Sequence, residues 1–185
     1  MELLNIEALK ELLLGLGEDP EREGLITTPE RVSKAWHEML RGYEMSPDEI
    51  LAATFENEDT PLKGLQLVED ISFASICEHH LLGFYGWASV AYIPNKVVAG
   101  LSKISRLVEC FACRLQIQER LTAQVADSLM ENLRPKGVAV VISARHTCCT
   151  GRGVKKTDMN FVTTTYRGRI EMQLLQTMTL QIKRG

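Results

Sequence analysis

The sequence has no apolar run long enough to cross a bilayer, and it does not open on a charged, apolar and small-residue signal segment. Its five cysteines cannot all pair within one chain, and their spacings outline no secreted disulfide framework. Repeats, low-complexity tracts and linkers are missing too. The basic residues are scattered and form no stripe interleaved with aromatics, which speaks against a nucleic-acid partner. These absences argue against a membrane-spanning helix within this sequence and against a disulfide scaffold. They set the expectation of a cytoplasmic chain with reduced thiols.

What is present suits one globular domain. The 185 residues are 45% apolar and 24% charged, enough chain for a buried core. The net charge of −3 hides a division. Residues 1–70 hold 17 acidic against 6 basic residues, a balance of −11, while residues 71–185 hold 7 against 15, a balance of +8. A basic C-terminal portion fits an anionic ligand held in a local positive field. It fits equally well two portions that complement one another within or between subunits.

Helical signals fill the first 60 or so residues. The segment 5–14 carries Ile6, Leu9 and Leu13 at helical spacing. Thr28 as N-cap, Pro29 at the first helical position and Glu30 start a second helix, on which Val32, Ala35, Trp36, Met39 and Leu40 share a face. Ser46-Pro47-Asp48-Glu49 opens a third. Strand character begins near Leu65, where Leu67, Ile71 and Phe73 alternate with polar neighbours. Further strands are expected over 84–93, 138–144 and 161–166, with two helices between 102 and 133 that break near Gln116. The tail 169–185 fits a helix through Leu174, Leu175, Met178 and Ile182, and a strand through Met178, Leu180 and Ile182. The expectation is an α+β protein, residues 1–60 forming a helical extension and 61–185 the main domain of one structural unit.

The sharpest local pattern is Cys77-Glu78-His79-His80, where a strand runs into a loop. Cys77 and His80 have the spacing that lets a thiolate and an imidazole converge on one ion, a donor pair that selects zinc over magnesium or calcium. His146-Thr147-Cys148-Cys149 ends another strand and can supply a third ligand at a shared rim. Three ligands and an open position make a catalytic centre, its bound water acidified to about pKa 7. A fourth ligand, Cys149 or His146, makes a closed structural site. The thiols can also be small packing residues without a metal. Together the two clusters favour a metal and leave its use open. Cys110 and Cys113 sit in a helical run without turn residues, so packing is their expected role.

A phosphate cradle is suggested by Gly100-Leu101-Ser102-Lys103 followed by Arg106, because Ser102 falls at a helix start with free N–H groups, a hydroxyl and two cations. Arg152 lies between Gly151 and Gly153, in a loop whose backbone can approach a ligand closely. Arg31, Lys34, Glu38 and Arg41 share a helix face, which by its own pattern reads as ordinary solvated charge. Glu119, beside Gln118 near a helix start, reads either as an acceptor for a ligand amide or as a cap.

Several of these motifs, in this order, resemble the GTP cyclohydrolase I family. They are Ser75-Ile76-Cys77-Glu78-His79-His80, Tyr92-Ile93-Pro94-Asn95-Lys96, Gly100-Leu101-Ser102-Lys103, the run from Gln116 to Thr122, and His146-Thr147-Cys148 through Arg152-Gly153. The likeness extends over roughly residues 17–168 and includes Thr28-Pro29-Glu30-Arg31-Val32. It implies a tunnelling fold, in which antiparallel sheets with two helices outside close into a barrel on oligomerisation. The implied assembly is a homo-oligomer, a decamer of two pentamers with active sites between subunits. By the same resemblance Cys77, His80 and Cys148 would hold Zn2+, and water activated there would attack C8 of GTP. His146 would move protons at N7, and His79 would assist around the opening ring. Glu119, with Gln118 beside it, would hold the guanine edge, and Ser102, Lys103, Arg106, Arg152, Arg31 and Lys34 the triphosphate. The products would be formate and 7,8-dihydroneopterin triphosphate.

Three departures from the family pattern stand out. Gly83 replaces the usual Pro, Cys149 adjoins an implied ligand, and the tail after Gly168 does not follow the usual ending. Rival functions are a family member retuned to a related purine nucleotide, a non-catalytic zinc protein that binds nucleotide, and a cysteine-nucleophile nitrile reductase of related fold. The two imidazoles His79 and His146 argue against the second, and the Cys77/His80/Cys148 set against the third.

Overall fold

The computed structural model describes residues 4–56 and 64–183; the expected boundary between residues 60 and 61 lies outside them. The N-terminal part is helical, as its periodicity requires. Helix α1 (Ile6–Gly15) is capped by Asn5, whose Oδ1 accepts from Glu7 N at 2.9 Å. Helix α2 (Thr28–Met39) starts one residue earlier than expected. Thr27 is its N-cap, and Thr28 is already helical, its hydroxyl donating back to Gly24 O at 3.5 Å. Of the apolar face, Leu40 is buried while Ala35 and Met39 stay exposed. Arg41 leaves that helix for a 3-10 turn (Arg41–Glu44) and pairs with Glu109, so it is not part of a solvated face. Helix α3 (Pro47–Leu51) has the expected Ser46 cap, which accepts from Glu49 N.

A short pair, β1 (Thr54–Glu56) with β4 (Val97–Ala99), stands beside the main sheet. That sheet has the order β5-β2-β3-β6-β7, from β2 (Gln66–Cys77), β3 (Gly83–Ile93), β5 (Leu115–Gln116), β6 (Gly137–His146) and β7 (Phe161–Gly168). Neighbours are antiparallel except β5, which runs parallel to the end of β2. Helices α4 (Leu101–Ala112) and α5 (Gln118–Leu133) cover one face, the break between them falling at Cys113–Ile117. Leu107, Leu121, Val125 and Leu129 from these helices meet Phe84, Val90, Val140 and Ile142 of the sheet, all without solvent exposure. Each such side chain contributes roughly 1.5–3 kcal/mol by leaving water.

Alternation along β2 is not continuous. Val68 pairs with Val90 and Ile71 with Ala88, so β2 carries one extra residue between them. Asp70, with φ of 55°, sits in this bulge. The extra residue reverses the parity. Val68, not Leu67, therefore joins Ile71 and Phe73 on the core face, and Leu67 is exposed. The ambiguous tail resolves as helix α7 (Met172–Gln181), which lays Leu175 and Met178, with Ile182 just after it, on Ala91, Ala139 and Val141, the face opposite α4 and α5. Lys183 ties this end down, 2.9 Å from Asp70 and 4.8 Å from the Trp87 ring centre.

Strands β3 and β6 approach closely at Gly86. A Cβ there would lie 2.0 Å from Ser143 O and 2.7 Å from Ala144 Cα. Gly86→Ala should lower stability by about 1–3 kcal/mol through overpacking. Gly15→Ala, which meets nothing within 4 Å, should leave it unchanged or slightly raised. Urea midpoints of the two variants check this.

Candidate active site

Five elements deliver their ends to one rim of the sheet. Strand β2 ends at Cys77, held by Cys77 N donating to Leu82 O at 2.9 Å and by parallel pairing with Gln116. The chain then turns tightly, Leu81 N donating to Cys77 O at 2.8 Å with Leu81 at φ 55°. Strand β3 restarts with Phe84 directly opposite His146, the last residue of β6. The short helix α6 (Thr147–Thr150) carries Cys148, and its Thr147 hydroxyl donates to Gly83 O at 2.7 Å. Helix α5 begins with Gln118 and Glu119 at the same rim.

These ends enclose a cavity of about 410 Å³, whose lining includes Cys77, His79, His80, Glu119, His146 and Cys148. Donor atoms of Cys77, His146 and Cys148 all lie within 4.8 Å of one another. His80 Nδ1 is 3.8 Å from Cys77 Sγ, and Cys149 Sγ is 3.9 Å from Cys148 Sγ. The cavity thus gathers three thiols and three imidazoles, two softer donor types in one pocket. Burial, then the neighbouring Cys149 and Cys77 thiols, push the Cys148 thiol up to about 11. Without a cation this pocket therefore disfavours the Cys148 thiolate, and a soft dication is the charge that suits it.

His146 is the most constrained imidazole. Its ring stacks on Phe84 with centroids 4.4 Å apart and planes 5° from parallel, and it meets Phe161 edge-on at 6.0 Å. Its Nε2 lies 2.9 Å from Gln118 Oε1. Burial holds its pKa below the ordinary histidine value, against a weaker opposing pull from Glu119. Outside the thiols, Glu78 pairs with Arg120, and that hydrogen bond keeps its carboxyl below the usual range. Arg120 Nε in turn donates to Gln116 Oε1 at 3.0 Å, so the Cys77–His80 turn is pinned to α5.

The expected phosphate ligands lie elsewhere. Ser102 and Arg106 are exposed on α4, Lys103 is half-buried, Arg152 is exposed after α6, and Arg31 and Lys34 are exposed on α2. None lines the thiol cavity. Arg106 borders a separate cavity of about 590 Å³ between β2, α4 and the end of α2. That larger cavity is lined by Cys113 but by no histidine, and the chemistry belongs to the smaller one. Gln118 is fully buried, its amide engaged by the protein. Cys110 and Cys113 are buried near Arg114 and Arg41, as packing residues. Sequence reasoning missed the Phe84 stack, the Glu78–Arg120 pair, and Met159, Asn160 and Phe161 in the cavity wall. The pairing of β3, β6 and β7 brings together the stack and that wall, and the packing of α5 beside the Cys77 turn makes the Glu78–Arg120 pair.

Fold and site together define an α+β protein with a thiol–imidazole centre at the rim of an antiparallel sheet. The GTP cyclohydrolase I family model matches residues 5–182. GTP cyclohydrolase 1 of Brucella anthropi is 51% identical over 165 residues, covering 89% of this chain and 77% of the relative. GTP cyclohydrolase 1 of Brucella canis is 52% identical over 161 residues, covering 87% and 75%. A crystal structure of the archaeosine synthase QueF-Like in the apo form aligns with a TM-score of 0.48 at 16% identity, covering 58% of this chain and 96% of that one. The chain belongs to the GTP cyclohydrolase I family, whose tunnelling fold it shares.

The lowered His146 pKa has a stability consequence. The unfolded chain binds this proton near pH 6.5, whereas the folded chain resists it. Stability from this source is complete above that pH and is lost as pH falls toward the lowered value. Metal-free protein should unfold at lower urea at pH 5.5 than at pH 7.5, and His146→Phe should shrink the difference.

Proposed function

We propose that this chain hydrolytically opens the imidazole ring of GTP, releases formate and recloses the ring as 7,8-dihydroneopterin triphosphate, with zinc as its metal. The observation that carries this is the convergence of thiols, imidazoles and Glu119 on one cavity, in a chain of this family. Cys77, Cys148 and His80 would hold the ion, and the donor set fits, since buried thiols beside imidazoles are zinc ligands by chemistry. When bound, zinc supplies Lewis-acid activation of water for addition at C8.

The remaining work falls to side chains. Glu119 accepts from the N–H donors of the guanine edge, and a purine lacking them would leave that carboxylate unpaired. His146, neutral and held flat on Phe84, carries a proton at N7 of the opening ring. His79, exposed and 3.9 Å from Glu78, serves as the second acid–base group. Ser102, Lys103, Arg106, Arg152, Arg31 and Lys34 bind the triphosphate. Their absence from the thiol cavity within one chain supports sites completed by neighbouring subunits, in a homo-oligomer of two stacked pentamers. Strand β7 and most of β2 are sheet edges, which barrel closure would pair. Residues 1–60 as a helical extension of a catalytic unit 61–185, and a cytoplasmic location, belong to the same reading. Among the described residues no helix is long and apolar enough to cross a membrane.

Zinc-loaded protein should convert GTP to formate and the pterin, and a chelator should abolish both products. Cys148→Ala and His80→Ala should lose zinc and turnover. His146→Ala should keep zinc and lose turnover by about a hundredfold or more. Zinc loss in His146→Ala with retention in His80→Ala would exchange the two roles.

A further inference from the structure

Gln118 is the first residue of α5 and has no solvent exposure. A buried carboxamide must satisfy two N–H donors and one carbonyl oxygen. Gln118 Nε2 lies 3.0 Å from Ile142 O, 2.9 Å from Phe161 O and 3.1 Å from Thr163 Oγ1. Two of these are backbone carbonyls on adjacent strands, which can only accept. The amide orientation follows from them, because the reverse would set Oε1 against two carbonyl oxygens.

The hydroxyls agree with this direction. Thr122 Oγ1 donates to Gln118 O at 2.7 Å, and Thr163 Oγ1 lies 2.6 Å from Thr122 Oγ1. Thr122 has given its only proton away, so Thr163 donates to Thr122. Thr163 then keeps lone pairs for the Gln118 amide. Every proton in the network runs one way, and Oε1 is left as an acceptor facing His146 Nε2 at 2.9 Å. That nitrogen must therefore be the donor, and a neutral ring protonated there has its one lone pair on Nδ1.

We propose that Gln118 is a positioning residue that holds His146 as the Nε2–H tautomer and leaves Nδ1 as the bare nitrogen. This rests on His146 being the proton carrier of the proposed reaction. It gives Gln118 a part other than the guanine contact expected from its place beside Glu119. The stack on Phe84 fixes the plane of the ring and Gln118 fixes its rotation within that plane. Neither task involves touching substrate.

Long-range proton–nitrogen NMR on histidine-labelled, metal-free protein at mildly alkaline pH reads the tautomer directly. His146→Asn identifies the signal by its loss. We expect a protonated Nε2 and a bare Nδ1. In Gln118→Met, which keeps the volume without the amide, the two tautomers should mix. Turnover of GTP by the zinc-loaded variant should fall about tenfold to a hundredfold, as for lost partners of site imidazoles. Its KM should stay within about twofold, because a positioning residue acts on kcat. A protonated Nδ1 in the unaltered protein overturns the inference, as does Gln118→Met with raised KM and unchanged kcat. The NMR result stands apart from catalysis, so a protein inactive on GTP would sink the proposed reaction and leave the tautomer assignment still decided by the spectrum.

Discussion

The structure depends on the long antiparallel pairing of β3 with β6. Ten residue pairs run from Phe84–His146 to Ile93–Gly137 without a register shift. Because side chains alternate, a slip of one residue would turn His146 and the whole apolar set of β6 to the wrong face. The register is held by burial on both sides. Val138, Val140 and Ile142 enter the core under α4 and α5, while Ala139 and Val141 meet α7. A strand buried on both faces gives its last residue, His146, a fixed place at the rim. Gly86 lets the two backbones come close enough for Phe84 to lie flat on the His146 ring.

From that register the rest of the rim follows. Cys148 is two residues past His146, so it inherits the same placement, and Cys77 is brought to it by the pairing of β2 with β3 and β5. Polar groups then stiffen what apolar packing has gathered. The Glu78–Arg120–Gln116 chain pins the Cys77 turn, and the Gln118–Thr122–Thr163 chain pins His146. Buried networks of this sort are stabilising only when every member is satisfied, and here the donors and acceptors can all be matched. Cys148 is the exception in character, since burial makes its thiol a poor anion until a cation arrives.

The charge division has a structural counterpart. Acidic residues gather on α1, on α3 and in the segment 18–23 between α1 and α2, whereas cations lie on α4 and after α6. Within one chain the cations and the thiol cavity stand apart, and two sheet edges remain without long partners. Both features fit a molecule whose function is distributed between copies. In the proposed assembly, the forces that close the barrel would also bring these cations beside the thiol cavity.

Much of the chemistry was legible in the chain itself. Cys77, His80, His146 and Cys148 stood out because thiol and imidazole at short spacing are rare without purpose, and the order of motifs carried the family. Local signals placed α1, α3, the α4–α5 break and the main strands, since caps, prolines and periodicity act over a few residues. Local signals could not see the bulge at Asp70, which reversed the parity of Leu67 and Val68, nor choose helix over strand for the tail. They were equally blind to the Phe84 stack, to Arg41 leaving its helix for Glu109, and to the burial of Gln118 against carbonyls of β6 and β7. Those are matters of which distant residues meet. Residue type and spacing decide what chemistry a chain can offer, but register, burial and the direction of each hydrogen bond exist only once separate strands are packed against one another.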